Sequence, residues 1–107
     1  GGTMPIKPTS YEAMLRLRID ADLAGDVASA IDQAHEQALA FLDGQLYADC
    51  AALTAAADPM GIVVTADIIA AQLLLVDALV GNNSLQDRDD KRRAAKDMLL
   101  PHRNMGA

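Results

Sequence analysis

The sequence predicts an all-α fold, a small bundle of about four to five helices with one long helix and at most one short strand pair, near residues 61–64. Three observations lead there. Apolar residues recur at three- and four-residue steps through every long segment, the spacing that places them on one face of a helix. Twenty-one alanines and fourteen leucines stand against one phenylalanine, two tyrosines and no tryptophan. That composition suits helices packed closely through small side chains and is short of the aromatic and β-branched residues that strands favour. Finally, 107 residues is about the size at which one hydrophobic core sustains itself, so a single domain is expected over residues 4–107. Gly1-Gly2-Thr3 ahead of Met4 reads as an expression-tag remnant, with Met4 the native start.

The elements follow in order. Thr9 and Glu12, after Pro8, have the spacing of a capping box, so a short helix is expected from about Ser10 to Leu17. Acids at Asp20, Asp22 and Asp26 open a long amphipathic helix of roughly Asp22 to Leu42. Its stripe is Leu23, Val27, Ala30, Ile31, Ala34, Ala38, Phe41 and Leu42, and Gly44 is placed to end it in a left-handed conformation. Asp49 reads as the N-cap of an alanine-rich helix through about Ala57, closed by the turn Asp58-Pro59-Met60-Gly61. The run 61–64, Gly-Ile-Val-Val, is extended. Thr65 or Asp67 caps the most apolar helix, Asp67 to Val80, apolar nearly all the way round and therefore covered on most sides. Residues 81–84 form a loop, and a last helix, about Asp87 to Leu100, stops before Pro101.

Charge excludes some functions. A net charge of −6 and a pI near 4.6 argue against tight nucleic-acid binding, which needs clustered Lys and Arg to release counterions. No basic flank precedes an apolar run at the N-terminus, so no secretory signal is expected. The longest nearly apolar stretch, residues 68–80, contains Gln72 and Asp77 and is too short to span a bilayer.

Candidate chemistry is thin. Asp20, Asp22 and Gly25 match three positions of a calcium loop, but Ala24 and Ile31 stand where ligands belong, so these acids are better read as complementing the helix N-terminus. Cys50, His35 and His102 are the sole set for zinc, and their spacing does not recommend it; a lone cysteine among alanines reads as a small buried apolar residue. No metal, cofactor or catalytic residue is expected, and the scarcity of His, Cys, Ser and aromatic residues argues against an enzyme. The charged run 87–97 places Asp87 and Lys91, and Asp89 and Arg93, four apart with the acid first, as in a self-paired solvated helix; the sharper alternative is a docking face. Asp77, inside the apolar helix, needs a partner if buried: it lies at the helix edge, or pairs with an arginine of the last helix or of a neighbouring subunit.

The order of "LRID" (17–20), an acid-opened long helix, "LDGQLYAD" (42–49), "GIVVTADIIAAQLLLVDAL" (61–79) and "LLPHR" (99–103) resembles the head-tail connector, or adaptor, proteins of long-tailed bacteriophages and prophages. The likeness spans nearly the whole chain from Met4. Members commonly end in a Leu-Leu-x-Pro-Tyr-Arg-like signature; here the leucines adjoin the proline and His102 stands for the tyrosine. The resemblance implies a non-enzymatic virion protein, without cofactor or membrane attachment, that waits in the host cytoplasm. At the head-tail junction it would assemble as a homo-oligomeric ring, a dodecamer being one candidate size. The ring would join the portal protein to the tail-completion or stopper protein and let DNA pass. Leu75, Leu79, Arg92, Arg93, Leu99, Leu100, His102 and Arg103 are the candidate protein-interface residues. A small acidic helical interaction module or regulator is the alternative, expected as a monomer or dimer.

Overall fold

The structure, a computed structural model, describes residues 6–19, 22, 24–80 and 84–103. It is the all-α bundle expected: α1 (Ser10–Leu17), α2 (Ala24–Leu42), β1 (Leu46–Tyr47), α3 (Cys50–Ala56), β2 (Ile62–Val63), α4 (Ala66–Val80) and α5 (Leu85–Leu99), with a 3₁₀ turn over Leu100–His102. Asp20 and Leu23, part of the expected opening of the long helix, and Gly81 to Asn83 of the expected loop, lie outside the described residues.

The hub is α4. It buries Ile68, Ile69, Ala71, Gln72, Leu73, Leu75, Val76 and Ala78, so it is covered on most sides, as its all-round apolar sequence requires. The long helix α2 packs on it through Val27, Ala30, Ile31, Ala34, Ala38 and Leu42, all buried. The alanines at 30, 34 and 38 recur every four residues, and their small side chains let the two backbones approach. From α5, Ala95 and Leu99 are buried in the core with Met98 packed against it, and from α1, Ala13 is buried with Met14 and Leu17 packed against it.

Local chemistry sets the boundaries. The Thr9 hydroxyl accepts from the Glu12 backbone N–H at 3.1 Å, while the Glu12 carboxylate lies 3.4 Å from Arg16 Nε. The full reciprocal capping box belongs instead to Ser84 and Asp87, so α5 begins at Leu85 rather than near Asp87. At the end of α2, Asp43 adopts the left-handed conformation, with φ of 57°; aspartate is among the few residues that tolerate it. Asp49 caps α3 as expected, accepting from Ala52 N–H at 2.8 Å. Thr65, of the two candidates, caps α4 through Ile68 N–H at 3.3 Å. Pro101 ends α5 but does not turn the chain straight out, because its fixed φ fits the following 3₁₀ turn.

The extended run at 61–64 finds a partner that the sequence does not announce. β2 pairs in parallel with β1, Leu46 opposite Ile62 and Tyr47 opposite Val63, and α3 supplies the crossover that parallel strands need. Gly61 sits where a Cβ would overlap the Leu53 side chain and lie 2.8 Å from the Tyr47 ring. The Tyr47 hydroxyl donates to the Asp58 carboxylate at 2.9 Å, and that bond raises the phenol's pKa above its ordinary value. A raised folded-state value means a contribution that is complete below the ordinary phenol range and lost as pH climbs through it. In a Tyr11→Phe protein, whose remaining tyrosine is Tyr47, ultraviolet titration of the phenolate is expected to give a midpoint above about 10. A midpoint at or below that value would show the bond absent.

Candidate protein-binding face

Where α5 crosses the C-terminal end of α2, two adjoining recesses open. One, of about 490 Å³, has Leu75, Leu99, Ala40 and Phe41 beneath Arg92, Lys96 and Arg103. The other, of about 530 Å³, shares Phe41, Arg92 and Lys96 with it and adds Arg93, Leu100, Asp89 and Asp97. The rim follows from sequence: residues 92, 96, 99 and 103 fall at steps of four, three and four, one stripe of a helix and its continuation. The Arg103 guanidinium stands 5.2 Å from the centre of the Phe41 ring, a cation–π contact worth about 0.5–1 kcal/mol at an exposed site.

This face gathers six of the eight residues read from the sequence: Leu75, Arg92, Arg93, Leu99, Leu100 and Arg103. Two of them are corrected in role. Leu75 and Leu99, at 4% and 1% exposure, belong to the subunit's own core, because α5 lies over α4 and covers them; they floor the recess and offer a partner little surface. Leu100, 51% exposed, is available. Leu79 is half-buried against the core. His102 turns away from the recess, its Nε2 at 4.0 Å from the Asp67 carboxylate at the start of α4.

The charged helix is not paired with itself as its spacing suggested. Lys91 reaches Asp77 of α4 at 2.8 Å, both side chains about three-quarters covered, so Asp77 is answered by a lysine of the last helix where an arginine was expected. Asp87 is spent on the Ser84 cap. Among the described residues Arg92, Arg93 and Lys96 enter no ion pair, and four of the chain's nine Lys and Arg residues stand on this one face of an acidic protein.

Phe41, Gln37, Ala40 and Lys96 are site residues that sequence reasoning missed. Phe41 was assigned to the core stripe, yet it is only half-buried and sits four residues after polar Gln37, the one signal of its edge position. A second apolar depression, lined by Tyr11, Met14, Leu15 and Ile19, lies on α1, where Tyr11 and Leu15 are 73% and 65% exposed.

The other sequence candidates disperse. Cys50 is exposed at the start of α3, not buried. His35 lies in the core, its Nδ1 3.0 Å from Gln72 Oε1, and among the described residues no three His, Cys, Asp or Glu side chains gather as a metal would need. No described helix is long and apolar enough to cross a membrane. Comparison with protein-family models, curated proteins and solved structures found no match.

Proposed function

We propose that the chain is a connector subunit of a long-tailed phage or prophage, a non-enzymatic virion component. In this reading it forms a ring at the head-tail junction, between the portal and the tail-completion or stopper protein, and leaves a passage for DNA. The observation that carries the reading is the cation-rimmed, apolar-floored face between α2 and α5. It collects three arginines and a lysine, of which Arg92, Arg93 and Lys96 enter no ion pair among the described residues, around a half-buried phenylalanine on a chain of net charge −6. Arginine and aromatic residues at the centre of a recess are the usual anchors of protein–protein contacts. The order of sequence elements supports the same assignment: LRID starts at the end of α1, and the later segments fall on the end of α2 and β1, on β2–α4, and on the end of α5 with the tail beyond it.

Co-expression with the portal protein encoded in the same genome tests the reading, with affinity capture as the readout. Retention of the portal by the wild-type chain is expected; no retention of the portal would overturn the connector assignment. DNA should pass without sticking, because the acidic surface repels phosphates. In a mobility-shift assay at physiological salt, random duplex is expected to run free at micromolar protein, and a salt-sensitive shift below that concentration would contradict it.

A further inference from the structure

The ring reading leaves open which surfaces meet, and α2 offers two that are opposite in charge. Its C-terminal end carries the recess rimmed by Arg92, Lys96 and Arg103. Its N-terminal end carries Asp26, with Asp22 just ahead of the helix, both exposed, and Gly25, around which a Cβ would meet nothing within 4 Å. Ala28 and Ser29 continue that exposed face with small side chains. Asp32 is already engaged, by Lys7 at 2.7 Å. Asp26 and Phe41 lie about 22 Å apart along the axis, at 1.5 Å per residue, so the two patches occupy opposite ends of the subunit's longest element.

Resting on the connector reading, we propose that the basic recess of one subunit receives the acidic N-terminal end of α2 of the next copy. Charge complementarity selects this occupant: among the described residues the recess has cations free of ion pairs, and the other end of the same helix has exposed carboxylates beside Gly25, Ala28 and Ser29, which leave room for close approach. The half-buried Phe41 and the exposed Leu100 beside the recess suit a helix surface better than a phosphate backbone, which has nothing apolar to place there. Because the two patches differ, the contact is head-to-tail, and repeated identically it closes into a ring when its rotation divides a full turn.

Charge reversal tests it by complementation. One variant carries Arg92→Glu and Lys96→Glu, the other Asp22→Lys and Asp26→Lys; all four positions are exposed, and circular dichroism verifies that each variant folds. By light scattering across a concentration series at low salt, each variant alone is expected to self-associate at least about tenfold more weakly than wild type, since each confronts like charges. An equimolar mixture pairs acidic recess with basic helix end and basic recess with acidic helix end, and is expected to recover association to within about threefold of wild type. Folded variants that associate as wild type does, or a mixture that fails to recover, overturn the contact while leaving the connector reading to the portal capture. A wild-type chain monomeric at every concentration overturns the contact as well. If reversing Arg92 and Lys96 removes binding to duplex DNA and leaves self-association intact, the recess is a phosphate site and the proposal falls.

Discussion

Leu75→Asp is expected to unfold the subunit outright rather than merely dissociate it. Leu75 is 4% exposed, on the hub helix, between α5 on one side and the end of α2 on the other. An isolated carboxylate at such a site leaves water without a partner and either costs several kcal/mol or forces protonation and rearrangement. A penalty above about 4 kcal/mol is comparable to the whole stability of a small domain. Loss of the helical circular-dichroism signal at neutral pH is the expected result, with Leu75→Ala, about 2–4 kcal/mol less stable than wild type, still folded. A Leu75→Asp protein that keeps its full helical spectrum would mean that this leucine faces outward after all, as its place in the apolar sequence first suggested.

Gln72→Leu is expected to destabilise the protein by about 2–4 kcal/mol despite adding apolar surface, because it strands a buried imidazole nitrogen and a part-buried carbonyl. The Gln72 side chain has no exposure; its Oε1 lies 3.0 Å from His35 Nδ1 and its amide nitrogen donates to the Ile6 carbonyl at 2.9 Å. One residue thereby ties α2, α4 and the segment ahead of α1. Replacing both side chains, His35→Leu with Gln72→Leu, removes the stranded imidazole, leaves only the Ile6 carbonyl without its donor, and is expected to recover part of the loss. Urea denaturation of the wild type, the two single variants and the double variant gives the coupling directly. A coupling indistinguishable from zero, or a stabilising single substitution, would show that the bond contributes nothing.

These two residues mark how far the sequence could be read. Helical periodicity located every helix to within a few residues, because each long segment repeats its apolar positions at one spacing and the caps at Thr9 and Asp49 are local chemistry. What periodicity could not give is which neighbour covers which face. Leu75 and Leu99 looked available because α4 is apolar all round, and only the lie of α5 over α4 hides them. Gln72 looked like an interruption in an apolar run, and its role depends on His35, which is 37 residues away. β1 is two residues long, too short for any alternation to register. The binding face was half legible: its cations and Leu100 lie in one charged run near the tail, whereas Phe41 belongs to a different helix and joins them only in three dimensions. The expected pairing of Asp87 with Lys91 gave way to contacts the spacing within α5 does not encode, Asp87 capping through Ser84 and Lys91 crossing to Asp77 of α4.

Electron microscopy of the chain purified together with the portal protein from the same genome tests the central claim most directly. The account predicts closed rings of the chain stacked coaxially on the portal, with a central passage wide enough for duplex DNA and the α2–α5 recess turned toward the neighbouring subunit. Portal particles with no added ring, beside a chain that remains a free monomer, would contradict it.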